Sequence, residues 1–152
     1  MKKICLIALI TLAFFVVAPR AARAQGGAKQ GPGVIRDADM EKDSLHNLEV
    51  ARQYFKLRKA YKASLARCEE IIAGNPTFSK IDEVLLIAGQ SSLRLSENKG
   101  KQSVKTTTDK LREDARDYLS MLVNNYPDSK FKDEALEELK SLGGPKPKDS
   151  KQ

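Results

Sequence analysis

The 152-residue chain has no tryptophan, and beyond its first two dozen residues it keeps one cysteine, Cys68, and one histidine, His46. These shortages close off most site chemistry. A zinc site needs three or four converging imidazole, thiolate or carboxylate ligands, and a nucleophilic triad needs a base beside its serine or cysteine. Glycine is sparse as well. Gly26-Gly27 and Gly143-Gly144 lie in the tails, and no glycine-rich phosphate-binding loop occurs. Valine and isoleucine do not alternate with polar residues, so strands have little support. Adjacent acidic pairs occur, among them Glu69-Glu70, Asp82-Glu83 and Asp133-Glu134. Neighbours on a helix point in different directions, so these pairs cannot work together as acid and base. The expectation is a protein that is not an enzyme, with no catalytic residues, no cofactor and no metal.

The two ends read as separate from the folded part. Residues 1–24 have the pattern of a secretory signal peptide. Lys2 and Lys3 open it, Ile4 to Val17 is apolar, and Ala22-Arg23-Ala24 is a small-x-small cleavage site that would leave Gln25 first. The apolar run is shorter than the roughly 20 residues a membrane span needs, which ranks a signal above an N-terminal anchor. Cys5 stands at the start of that run rather than after a small residue at its end. It is a poor lipidation site, so no stable membrane anchor is expected after cleavage. Residues 1–24 carry four basic residues, Lys2, Lys3, Arg20 and Arg23, and no acidic one, so cleavage lowers the formal charge from +7 to +3. A mildly basic remainder is no nucleic-acid signature, and no nucleic-acid partner is expected. An exported chain with one thiol forms no internal disulfide. Cys68 lies on an apolar stripe and reads as a small core residue; the alternative is a disulfide between chains. Residues 25–36, rich in glycine, form a flexible linker. Residues 144–152 form a polar, disordered tail.

Between these ends, residues 37–143 show helical periodicity. A first helix is predicted from Asp37–Asp43 to about Leu57, with an apolar stripe of Leu45, Leu48, Ala51 and Phe55. Tyr54 and Phe55 compete there for one core slot. After a turn at 58–60, Tyr61, Leu65, Cys68, Ile71 and Ile72 make a second stripe. Gly74-Asn75-Pro76 ends it, with Gly74 or Asn75 able to take a left-handed cap. Ser79-Lys80-Ile81-Asp82 fits a capping box that opens a third helix through Leu85, Leu86, Ala88, Gly89, Leu93 and Leu95. Glycine inside a helix costs about 1 kcal/mol relative to alanine, so Gly89 marks a close approach of a neighbouring helix. Residues 96–107 have no period and read as a mobile loop, either a solvated insertion or a basic partner contact. A fourth helix is predicted over 108–125, facing inward with Leu111, Ala115, Tyr118, Leu119, Leu122 and Val123. A fifth follows a cap at Asp128 or Ser129, with Phe131, Ala135, Leu136, Leu139 and Leu142 on its stripe.

Residues 61–85 recur, shifted by 51, as residues 112–136. Ser64, Cys68, Ile71 and Pro76 become Ala115, Leu119, Leu122 and Pro127, and Asp82-Glu83-Val84-Leu85 becomes Asp133-Glu134-Ala135-Leu136. Each copy reads as a helix, a proline-ended turn and a new helix. One such unit cannot bury its apolar face alone and must stack on its neighbour. The predicted fold is all-α, with antiparallel helix-turn-helix repeats stacked as a short α-solenoid.

These pairs resemble tetratricopeptide repeats, of which the chain would hold about two and a half. Residues 51–76 are similar to the BamD-like (YfiO) outer-membrane assembly family, through Ala51, Tyr54, Tyr61, Ser64, Arg67 and Pro76. Tyr126, Pro127, Asp128, Ser129, Asp133, Glu134, Ala135 and Leu136 match the same family's repeat junction. The resemblance covers most of residues 45–142. It implies a periplasmic protein-protein interaction scaffold with a protein or peptide partner in the cell envelope. In tetratricopeptide domains the first helices of the pairs line a concave groove, which makes Glu49, Gln53, Lys56, Gln90 and Leu93 the candidate binding residues. The alternative is a structural or oligomerising envelope module, a possible homo-oligomer, similar to the Tol-Pal coordinator (CpoB/YbgF) family.

Overall fold

The computed structural model describes residues 37–100 and 102–148, and the predicted signal peptide and linker lie outside them. Five α-helices follow in order: α1 (Ala38–Gln53), α2 (Tyr61–Gly74), α3 (Ile81–Ser96), α4 (Thr108–Asn125) and α5 (Lys132–Lys140). A π-helical turn, Tyr54–Arg58, extends α1. Among the described residues there are helices and turns but no strand. Consecutive helices pack side by side, with α3 central, so the fold is a short helical-repeat solenoid.

The repeat returns bond for bond. At the first junction the N–H groups of Asn75, Phe78 and Ile81 donate to the carbonyls of Ile71, Asn75 and Phe78. At the second, Tyr126, Ser129 and Lys132 donate to Leu122, Tyr126 and Ser129, each shifted by the same 51 residues. The equivalent core positions are all buried: Ser64 and Ala115, Cys68 and Leu119, Ile71 and Leu122, Val84 and Ala135. Neither junction uses the predicted left-handed cap. Asn75 has φ −142° and Tyr126 has φ −126°. Each precedes a proline, whose ring forces the preceding residue out of the helical region and towards extended backbone. The capping box at Ser79 is also absent. Lys80 stands at the N-cap without a side-chain bond. Ser79 instead donates its backbone N–H to Glu41 of α1.

On α1 the inward row is Ser44, Leu48 and Ala51, and Leu45 is 40% exposed. Ser44 is held there because its hydroxyl accepts from the buried Asn75 amide at 3.1 Å. The π-helical turn resolves the contest between Tyr54 and Phe55. Widening the helix by a residue lets both sit half-buried. Phe55 packs edge-on against Tyr61 at 5.3 Å, and Tyr54 lies under Arg58. Lys59, at φ 50°, then reverses the chain.

The loop after α3 is seated against the fold. Val104 packs with Tyr61, Leu95 and Leu111. Gln102 accepts the Lys62 N–H at 2.8 Å, capping α2 from 40 residues away. The start of the predicted disordered tail is likewise held on α4. Arg116 donates to the carbonyl of Gly144 at 2.7 Å, Ser120 accepts the Lys146 N–H at 2.8 Å, and Asn124 donates to the Lys146 carbonyl at 2.9 Å.

Cys68 is fully buried on α2. Burial, reinforced by the negative charge of Glu69 and Glu83, pushes its thiol up to about 12. A thiol so placed has no access to a second chain while the domain is folded, so the intermolecular disulfide is not compatible with this packing. Iodoacetamide at pH 7 should leave Cys68 unmodified in the native protein and label it fully in urea. Mass spectrometry distinguishes the two, and rapid native labelling would contradict the packing.

Candidate functional site: the face of the first helices

Helices α1, α3 and α5 are the first members of successive pairs, and polar side chains join them edge to edge. Arg52 of α1 lays its guanidinium against Glu83 of α3 with two bonds of 2.7 Å, Nε to Oε1 and Nη2 to Oε2. A third bond of 3.1 Å runs from Arg52 back to Glu49 on its own helix. Between α3 and α5, Gln90 donates to Glu134 at 2.8 Å, and Arg94 donates to Glu138 at 2.9 Å. Paired arginine and carboxylate in this forked geometry make short, charge-assisted bonds. Burial disfavours the charged form of Glu83, but its hydrogen bonds to Arg52, together with the positive charge of Arg52, Lys130 and Lys80, outweigh this and hold its carboxyl below the usual range. The guanidinium of Arg52 is correspondingly raised.

Helical spacing explains how α1 contributes. Leu45, Glu49, Arg52 and Lys56 recur at steps of three and four, so they share one side of the helix. Arg52 reaches α3 from that side, so the row borders the α1–α3 seam. Glu49, Gln53 and Lys56 are all exposed, as the sequence reading requires of groove residues. Gln90 and Leu93 are not placed that way. Leu93 is 1% exposed and belongs to the core, and Gln90 is 7% exposed with its amide committed to α5. Helix α3 has α2 and α4 packed against it and α1 and α5 bonded along its edges, so little of its surface is free.

Sequence reasoning missed Arg52, Glu83, Arg94 and Glu138, which hold this face together. Charge spacing within one helix does not reveal partners 31 to 44 residues apart. One signal was available for α3. From Val84 to Leu93 it carries no charged residue, the mark of a helix buried on most sides.

A shallow cleft of about 360 Å³ is lined by Tyr54, Lys62, Ala63, Ala66, Arg67 and Gln102. Arg67 is already paired with Glu70, and Lys62 donates to the Ser103 carbonyl. His46 is exposed on α1. Among the described residues no helix is long and apolar enough to cross a membrane.

A family model described as YfiO, outer membrane lipoprotein, matches residues 41–143. No curated protein and no solved structure matches the chain. The matched span takes in α2 to α5 whole and all but the first turn of α1, including both proline junctions and every residue of the α1–α3–α5 seam. By its repeats, its helix order and this match, the chain belongs to the YfiO family of outer membrane lipoproteins.

Proposed function

We propose that the protein is a non-catalytic interaction scaffold of the cell envelope, exported to the periplasm, that captures a protein or peptide partner on the face of its first helices. The observation that carries this reading is the seam itself. Arg52–Glu83, Gln90–Glu134 and Arg94–Glu138 tie three helices into one continuous surface. Gln53 and Lys56 are exposed along its α1 border, beside Glu49, which Arg52 holds at 3.1 Å. A surface held by bonds made before a partner arrives loses little freedom on binding. Membership of an outer-membrane protein family supports the location, and the signal-like residues 1–24 support export.

The partner is a peptide or helix lying along α1, read by the mixed charge and amide of Glu49, Gln53 and Lys56. Replacing Gln53 and Lys56 together by alanine should reduce capture of the partner from an envelope extract by about tenfold, the scale of one or two lost interface contacts. The melting temperature should hold, because both side chains are exposed. A loss of stability with unchanged capture would sink the assignment.

A further inference from the structure

We infer that one end of the helix stack is a docking surface for an anionic phospholipid bilayer, with Leu57 as the inserting side chain. This goes beyond the partner face and shares only Arg52 and Lys56 with it. The tertiary structure brings together two segments that contain no acidic residue. From Val50 to Cys68 the chain has Arg52, Lys56, Arg58, Lys59, Lys62 and Arg67, and no aspartate or glutamate. From Asn98 to Thr108 it again has no acid. The α1–α2 and α3–α4 connections meet at the same end. Lys62 donates through its backbone to Gln102 and through its side chain to Ser103. A Cβ on Gly100 would fall 2.5 Å from the Lys59 carbonyl, so the two tips touch through backbone.

Several cations at this end are unpaired. Elsewhere some cations are matched, as in Arg52–Glu83, Arg94–Glu138, Lys110–Asp114 and Lys146–Asp117, and others, such as Lys42, Lys80 and Lys132, have acidic residues within two positions in the chain. Among the described residues Lys56, Arg58, Lys59 and Lys105 form no ion pair. Of the acids at this end, Glu97 is engaged by Lys99 at 2.8 Å and Arg94 at 3.5 Å, and Asp109 stands in the first turn of α4. In the middle of the basic tip stands Leu57, 80% exposed, where the other large exposed apolar side chains reach only 40 to 44%. A lone apolar knob on a projecting turn would need a matching packed pocket on a rigid protein partner. It suits a deformable interface that takes an apolar side chain below a layer of negative charge. The π-helical turn is what presents it, since it places Lys56, Leu57 and Arg58 in solvent with no buried residue among its five.

The test is flotation of the full chain with vesicles of pure phosphatidylcholine and with vesicles containing phosphatidylglycerol. Residues 1–24 are the same in every variant, so their contribution cancels. Wild type should bind the anionic vesicles more tightly than the neutral ones, and salt should weaken the difference. Combining Arg58→Gln, Lys59→Asn and Lys105→Gln should weaken anionic binding by about 100-fold, at about fivefold for each charge. Asparagine tolerates the left-handed backbone at position 59. Leu57→Ser should weaken it by about tenfold. These side chains are exposed, and Lys56 is left intact so that the partner face is unaffected. Equal binding to both vesicle types, or variants that bind like wild type, overturns the inference. So does tight binding to soluble polyglutamate that Leu57→Ser does not change, which would identify an acidic protein partner instead.

Discussion

Leu119→Ala should cost about 3–4 kcal/mol of folding stability, while Gly89→Ala, which improves helix propensity, should still cost about 1–2 kcal/mol. Leu119 is fully buried on α4 and faces Gly89 of α3. Truncating it removes apolar contact and leaves a cavity between the two central helices. At position 89 two effects oppose each other. Alanine is favoured over glycine within a helix by about 1 kcal/mol. Its Cβ, however, would lie 2.6 Å from Leu119 Cγ and 2.8 Å from Cδ2, with the Ala115 carbonyl at 3.3 Å. The Cγ is the branch point of a packed side chain and cannot swing aside without moving the helix. Overpacking of this kind costs about 1–3 kcal/mol, so steric cost wins.

In a Leu119→Ala background both clashing atoms are gone, and Gly89→Ala should become stabilising by about 0.5–1 kcal/mol. Urea unfolding of the four proteins measures the sign change. If Gly89→Ala stabilised the wild-type protein, the close approach of α3 and α4 would be wrong. Gly89 could be read as a contact point from sequence alone, because the apolar period continues on both sides of it. Leu119 could not be named as the contact, because periodicity says which face is inward but not what lies opposite.

Arg52→Met should destabilise the protein by about 2–3 kcal/mol at pH 7. The side chains of Arg52 and Glu83 are 27% and 16% exposed, so water screens the pair only in part. Removing the guanidinium leaves a half-buried carboxylate without its two bonds. Replacing both, as Arg52→Met with Glu83→Leu, should recover much of the loss, since no unpaired charge remains. The pH dependence has a definite sign. The Glu83 carboxyl is held below its unfolded value, so its contribution is complete above about pH 4.3 and is lost as pH falls through the lower folded value. Without Arg52, burial is opposed only by the charges of Lys130 and Lys80, so that carboxyl rises relative to wild type and acid penalises the variant less. The gap between wild type and Arg52→Met should therefore shrink from pH 7 to pH 3. A gap that stayed constant would mean the guanidinium acts through packing rather than charge. This variant also tests the seam. Partner capture should fall with stability here, whereas the Gln53 and Lys56 pair should affect capture alone.

Of the five predicted binding residues, the three on α1 are surface residues and the two on α3 are not. Apolar spacing gives the α3 stripe, which includes Leu93, but does not say how many sides of the helix are covered. An end helix has neighbours on one side and keeps a free face; a central helix has neighbours nearly all round. Only the run without charge from Val84 to Leu93 distinguishes the two in sequence.

The chain's own pattern determined the helices, the proline stops and the stacking of two repeats. These depend on local sterics and on apolar spacing within a few turns, both written in neighbouring residues. Tertiary structure decided the Arg52–Glu83 and Arg94–Glu138 seams, the capping of α2 by Gln102 and the strapping of 143–148 onto α4. It also decided that the basic α1–α2 and α3–α4 connections share one end. Each of these joins residues far apart in the chain, and their meeting depends on how the packed helices align, which no local rule encodes.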